Sequence, residues 1–289
     1  MKKILSILLV ALLIFSCAFA EESSETGAGD EWWNILLLGC DSYTKNNYQR
    51  SDSMIIVSIN RETQEVKMTS LMRDTWIKVP GNKTYHRKLT ELCAVGGPEL
   101  TIQAINESFG MNISDYALVS MAGMAEMIDI LGGVDLDVTE AERKALNKGL
   151  FDLSSMSGME KLEESGENVH LNGNQAVAFA RIRKIDSDYV RTERQRTVLR
   201  KMAGKLKDNI SATTLLSMVH TLTEYVETNL NLSEILEIAS IGLQTDLDSV
   251  QELRVPVDGT FDSGMYGNVW CIKPNFEKNA ALLHEFIYG

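Results

Sequence analysis

An α/β layered domain is predicted for residues 31–289, and three observations predict it. Short apolar runs of strand length recur early and late in the chain, helical segments with their own start and stop signals lie between them, and no internal repeat is present. With 44% hydrophobic and 24% charged residues, the 289-residue chain has ordinary globular composition and ample material for a core.

The elements follow in order. Residues 34–38 (NILLL) form an apolar run ended by Gly39 and read as a buried strand. Residues 54–59 (MIIVSI) read as a second strand, and the alternating residues 65–70 (EVKMTS) as a third. The polar residues 60–63 (NRET) between them make a short turn, so an antiparallel hairpin is expected. Pro98, just after Gly96-Gly97, starts a helix that Gly110 stops. Residues 121–131 form another helix, halted by Gly132-Gly133, and 134–138 return as a strand. Residues 140–170 are polar and weakly patterned, and read as an excursion or mobile loop. Residues 174–180 read as a short helix; longer helices are expected at about 190–208, 212–228 and 232–243, strands at 254–257 and 268–272, and a closing helix at 275–287.

The N-terminus has a different character. Lys2 and Lys3 precede an apolar run over residues 4–16, and Ala18-Phe19-Ala20 offers a small-x-small cleavage pattern, so residues 1–20 read as a secretory signal peptide. Lipoprotein processing at Cys17 is the alternative. Residues 21–30 have the composition of a flexible tether, leaving 31–289 as a single domain placed outside the cytoplasm, secreted or lipid-anchored. There two of Cys40, Cys93 and Cys271 could pair, while their spacing and the four scattered histidines fit no zinc site.

Charge is unevenly distributed. The net charge is -12, yet residues 181–207 hold ten Lys/Arg against three acids, +7, which leaves -19 on the rest. That balance argues against general nucleic-acid binding. The basic run divides by helical spacing. An apolar stripe at Leu199, Met202, Leu206 and Ile210 continues backwards to Gln195 and Arg191, which places those two on the core-facing side, where a cation needs a partner. A helix N-terminus with free N–H groups makes an anion a natural one. Arg181 and Arg183 alternate around Ile182 and in an extended segment would share one side. Arg196, Arg200, Lys201, Lys205 and Lys207 fit a solvent face.

The first three strands suggest a second gathering point. If they run up, down and up, then Asp41, Arg50, Asp52 and Arg73 all emerge at one sheet edge. Two loop carboxylates suit magnesium, which takes one or two protein acids plus phosphate oxygens, although spacing alone favours acids simply in solvent. Paired-carboxylate glycoside chemistry needs no cation clamp, and neither a Gly-x-Ser-x-Gly elbow nor a P-loop is present. Met121, Met124 and Met127 repeat at helical spacing and read as core packing before a lipid cavity.

With these residues in place, the sequence resembles the LytR-CpsA-Psr family of cell-envelope proteins. The resemblance runs in order through NILLLGCDS, RSDSMIIVSIN, SLMRDTW, KLTELCAVGGPELTIQAI, MAEMIDILGGVDLDV, LNGNQAVAFARIR and DSDYVRTERQRTVL. Met72, Tyr43 and Ser120 depart from the family pattern, where proline, arginine and aspartate are usual. The resemblance implies an α/β/α sandwich around a mixed central β-sheet and a phosphotransferase acting outside the membrane. It implies a glycopolymer donor on a polyprenyl-pyrophosphate carrier, a peptidoglycan acceptor and a nearby membrane surface. It also implies Mg2+ (Mn2+ possible) on Asp41 and Asp52, and pyrophosphate on Arg50, Arg73, Lys88, Arg181, Arg183, Arg191 and Gln195. Arg73, Arg181 and Arg183 are the expected catalytic cations, with Asp74 and Asp188 as candidates for the base. A non-catalytic binder or regulator of lipid-linked precursors, and a secreted pyrophosphohydrolase, are the alternatives.

Overall fold

A computed structural model describes residues 31–41, 43–44, 47–82, 84–152, 160–183, 185, 187–208, 225–246, 249–266 and 268–289. The expected leader and tether, Cys17, Ile210 and most of the 212–228 helix lie outside the described residues.

The described elements begin with β1 (Trp32–Cys40), β2 (Tyr43–Thr44), β3 (Asn47–Tyr48), β4 (Ser51–Asn60), β5 (Val66–Leu71), β6 (Trp76–Lys78) and β7 (His86–Lys88). Helix α1 (Leu89–Phe109), β8 (Asp115–Ser120), α2 (Met121–Ile130), β9 (Val134–Val138), α3 (Glu140–Asp152) and β10 (Gly166–Leu171) follow. The chain continues through α4 (Gly173–Ala180), α5 (Asp188–Asp208), β11 (Val226–Thr228), α6 (Leu232–Gln244), β12 (Gln251–Val255), β13 (Phe261–Tyr266), β14 (Val269–Pro274) and α7 (Phe276–Tyr288).

The fold is α/β with a mixed central sheet flanked by helices, as the sequence led us to expect. The six strands stand in the order β11-β8-β1-β4-β5-β12; β4 pairs antiparallel with both β1 and β5, and β12 pairs parallel with β5. Two compact units are distinguished, one within residues 18–119, 228–230 and 248–289, the other within 120–227 and 231–247.

In the first unit α1 and α7 pack with the sheet. Leu36, Leu38, Ile56, Leu89, Leu92, Ile105, Leu118 and Leu283 are wholly buried in one core. The β4–β5 turn is chemically determined. The Asn60 side-chain carbonyl accepts from the N–H groups of Glu62 and Thr63, and Gln64 takes the left-handed conformation (φ 62°). Helix α1 starts earlier than its proline suggested. Gly96 and Gly97 interrupt it, and Gly97 has φ 76°, with the Tyr48 ring 3.0 Å from where a Cβ would stand. Cys40, Cys93 and Cys271 are all buried thiols.

In the second unit α4 packs with α2, α3 and α5, and α5 also packs with β9 of the β9–β10 hairpin. Met127 is 1% exposed, a core residue as its spacing favoured. Helix α3 and strand β10 replace the irregular excursion expected over 140–170. Only Leu146 and Leu150 anchor α3 among its residues with described burial, and two anchors are too few to register as a periodic pattern. Residues 226–228 form β11 rather than the end of a helix. Gly173 begins α4 behind an Asn172 capping box, and a Cβ there would stand 1.9 Å from the Ala125 carbonyl oxygen of α2. Gly173→Ala is therefore expected to lower stability by about 1–3 kcal/mol through overpacking, read as a lower urea midpoint at unchanged m-value.

Candidate active site

The first unit gathers charge where β1 ends and β4 begins. Gly39 stands opposite Ser53 and Cys40 opposite Ser51, so Asp52 is the extra residue of a β-bulge, a device that re-aims a side chain. Asp41 follows directly after Cys40 and is exposed, at the same end of the sheet. Strand β5 runs antiparallel to β4 and ends at Leu71, so Arg73 and Asp74 leave the sheet at that end too.

Direct bonds link several of these groups. Arg73 Nη1 donates to Asp52 Oδ1 at 2.9 Å, and Arg73 Nε lies 3.5 Å from Asp74 Oδ2. Asp74 is 9% exposed and accepts at Oδ1 from Lys88 Nζ at 2.7 Å. The outcome is an alternating row, Asp52–Arg73–Asp74–Lys88. The backbone beneath it is pinned on several sides. Met72 N–H donates to Val255, the Arg73 carbonyl accepts from Thr90, the Asp74 carbonyl from Ile272 and the Thr75 carbonyl from Leu89, at 2.8 to 3.0 Å. Groups held this way need little reorganisation on binding an anion.

Arg50 is mostly exposed and donates to Glu91 at 3.2 Å, while Arg87 reaches the other Glu91 oxygen at 3.4 Å. Sequence reading passed over Arg87 and Glu91; their i,i+4 spacing beside Lys88 is the signal that marks them. Burial pushes the Cys271 thiol up against the pull of nearby Lys88, which keeps it an unreactive packing group.

The donor chemistry of Asp41 and Asp52 fits a magnesium ion. Both supply hard carboxylate oxygens, and among the described residues no group of three or more His, Cys, Asp or Glu side chains is placed to hold a metal. A pair of carboxylates completed by phosphate oxygens and water is the magnesium pattern.

The second unit holds the remaining cations. Arg191 is 1% exposed and donates through Nη1 to Asp188 Oδ1 at 2.7 Å, one helical turn back. Gln195 is buried as well, as the stripe requires. Asp74 and Asp188, the two candidate bases, thus each hold a cation. Arg181 departs from the extended geometry expected of it. It ends α4 in a helical conformation (φ -101°, ψ 0°), because Ala178 and Phe179 carbonyls still accept from Arg181 and Ile182. Arg181 is half-buried, Ile182 buried and Arg183 exposed.

Arg196 is buried, not on the solvent face assigned to it. The first turns of α5 are enclosed on more than one side, with α4 and β9 packed against the helix, so no single stripe describes them. Lys205, also assigned to solvent, is half-buried and bonds Asp135 at 2.5 Å. Arg194 Nε donates to Glu142 Oε1 at 2.9 Å, and its guanidinium lies 5.6 Å from the Phe179 ring centre.

These features define an α/β protein with charge-paired cations at one sheet end and on a buried helix turn. A family model, the LytR_cpsA_psr family, matches residues 18–281, and the chain belongs to that family. "Biofilm regulatory protein A" of Streptococcus mutans is 28% identical over 274 residues, covering 87% of this chain and 64% of that protein. "Polyisoprenyl-teichoic acid--peptidoglycan teichoic acid transferase TagU" of Oceanobacillus iheyensis is 33% identical over 223 residues, covering 74% of this chain and 59% of that protein. The chain thus spans just under two thirds of the length of these relatives. Among solved structures, the Bacillus subtilis LytR-CPS2A-psr family protein YwtF (TagT) with bound octaprenyl pyrophosphate lipid shares the fold. It has a TM-score of 0.66 at 22% identity, covering 92% of this chain and 94% of that one.

Glu142 supplies a pH test. Burial alone would raise its pKa above the ordinary 4.5, but hydrogen bonds from Thr139 and Arg194 outweigh it, and the net shift is downward. A depressed folded-state pKa gives stability that is present above the unfolded value and is lost as pH falls through the folded one. Glu142→Gln is therefore expected to cost about 1.5–3 kcal/mol at pH 7 and to converge on the parent in strong acid, in urea titrations across pH.

Proposed function

We propose that the chain is an extracytoplasmic phosphotransferase that moves a glycopolymer from a polyprenyl-pyrophosphate carrier onto peptidoglycan. The observation that carries this reading is the row Asp52–Arg73–Asp74–Lys88, pinned at one sheet end in a member of this family. The TagU relative's name and the octaprenyl pyrophosphate bound by YwtF support the choice of donor and acceptor.

In this proposal Arg73, Arg181 and Arg183 are the catalytic cations, and Arg50, Lys88, Arg191 and Gln195 complete the phosphate-binding set. Their work is to stabilise the charge that builds on phosphoryl oxygens as the bridging P–O bond breaks and the lipid phosphate leaves. Guanidinium suits this role because its fixed fork of five N–H donors lets one group serve Asp52 and a phosphoryl oxygen together. Asp74 orients Arg73 and Lys88 from below. Arg191, held by Asp188, places a guanidinium in a buried position at the start of α5. Asp41 and Asp52 would hold a magnesium ion, with manganese an acceptable substitute, and when bound it supplies neutralisation of the pyrophosphate. A hydroxyl of the wall glycan is the acceptor.

The test is to incubate the chain with a lipid-pyrophosphate-linked sugar, magnesium and peptidoglycan oligomers. Covalently linked glycan is the expected product; free sugar phosphate would make the chain a hydrolase, and binding without turnover a carrier protein. Arg73→Ala is expected to lower the transfer rate on the order of 10²–10³-fold with the fold intact by circular dichroism. Asp52→Asn is expected to raise the magnesium concentration needed for half-maximal transfer, and chelation to abolish transfer reversibly; unchanged rates in both would remove the metal from the scheme.

A further inference from the structure

The β13–β14 hairpin carries three exposed large apolar side chains within six residues. Its strands pair Met265 with Trp270 on one face and Tyr266 with Val269 on the other, so large side chains flank the turn on both faces. Met265 is 63% exposed, Trp270 46% and Val269 38%. Residues 263–272 (SGMYGNVWCI) carry no charge, in a chain with 24% charged residues. The flanking charges are a cross-strand pair, Asp262 and Lys273, and the Lys273 ammonium leans back toward the Tyr266 ring at 5.6 Å. It does so over Gly264, beside which a Cβ would meet nothing within 4 Å.

The base of the hairpin is fixed as firmly as its tip is bare. Cys271 and Ile272 are buried, Ile272 N–H donates to the Asp74 carbonyl at 2.9 Å, and Ile272 bridges Thr75. The projection is thus rooted on the loop that carries Arg73 and Asp74. A protein that leaves tryptophan, methionine and valine exposed together marks a contact surface. The chemistry selects the partner. A glycan platform would need several hydrogen-bonding groups around the ring, and the described tip offers Asn268 among mainly aromatic and aliphatic surface. Tryptophan and tyrosine over aliphatic neighbours, with a lysine set back along the stem, is the composition that settles at a bilayer's headgroup boundary, the ammonium reaching for water or lipid phosphate.

We propose that the tip of this hairpin, Met265, Tyr266, Val269 and Trp270, inserts into the outer leaflet of a lipid bilayer and holds the Arg73–Asp74 loop at the membrane surface. The inference deepens the proposed function, resting on it only for the reason a lipid-carried pyrophosphate would favour such a contact. Among the described residues no helix is long and apolar enough to cross a membrane.

The test uses the full chain in a Cys17→Ser background, with an environment-sensitive fluorophore on Asn268→Cys at the exposed turn. A control carries the fluorophore on Glu62→Cys, in the β4–β5 turn at the end of β4 and β5 away from Arg73. Vesicles of phosphatidylcholine with phosphatidylglycerol, with or without nitroxide on the acyl chains, are then added. The expected result is a blue shift and nitroxide quenching at the 268 position and neither at the 62 position. Adding Met265→Ser and Trp270→Ser should reduce quenching at 268 at least about tenfold, with circular dichroism unchanged. The inference is overturned if the 268 probe stays in water on vesicle-bound protein, if no vesicle binding occurs, or if both probes respond alike. It is overturned equally if the 268 probe answers instead to peptidoglycan fragments or to protein concentration. Transfer from a short-chain, water-soluble carrier should be unchanged in the Met265→Ser/Trp270→Ser variant, so failure of vesicle insertion and failure of the transferase reading give separate signatures.

Discussion

The contact on which the first unit's chemistry depends is the ion pair between Arg73 and Asp52, 2.9 Å apart, with Asp74 on the far side of the guanidinium. Four cations brought to one sheet end would repel one another in the absence of an anion. Here Arg50 and Arg87 lean on Glu91, Lys88 on Asp74, and Arg73 on Asp52 and Asp74. The acids let the positive charge stand ready without a ligand, and any anion that arrives must compete with carboxylates already in contact. A divalent ion shared by Asp52 would relieve that competition, since it draws the carboxylate's charge to itself. The second unit applies the same logic to a deeper group: Arg191 is nearly inaccessible and still meets Asp188.

Much of this was legible in the amino-acid sequence, for identifiable reasons. The strands carrying Asp52 and Arg73 are continuous apolar or alternating runs, and Asn60 advertises the turn between them, so their common edge follows from counting strands. Arg191 and Gln195 were found because they extend an apolar stripe backwards by whole turns. Other features left no such trace. Strand β8 (DYALVS) joins the central sheet, yet it was not recognised, for it is short and runs directly into α2. Arg196 and Lys205 were assigned to solvent by spacing, yet Arg196 is buried and Lys205 pairs with Asp135 of β9; periodicity reports one buried face and is blind to a helix packed from several directions. Arg181 was expected in an extended segment because it alternates with Arg183, but the helical run before it had not yet released the chain.

The bulge at Asp52 joins these two levels of description. Strand pairing alone would align residue against residue along β1 and β4. The single extra position, between Ser51 and Ser53, takes Asp52 out of step with the ladder and toward Arg73. A local irregularity of backbone pairing thus sets the electrostatics of the whole edge.

The break in α1 at Gly96 and Gly97 acts as mechanical insulation. The segment before it, from Leu89, supplies the N–H groups that clamp the carbonyls of Arg73 and Thr75 and buries Leu89 and Leu92, while the segment from Pro98 onward enters the same core through Ile102, Ile105 and Phe109. Because the two glycines leave the helical conformation, the rod is divided into two short levers. Repacking around Ile102, Ile105 or Phe109 therefore meets a joint before it reaches the clamping turn along the backbone, which a continuous helix would not provide.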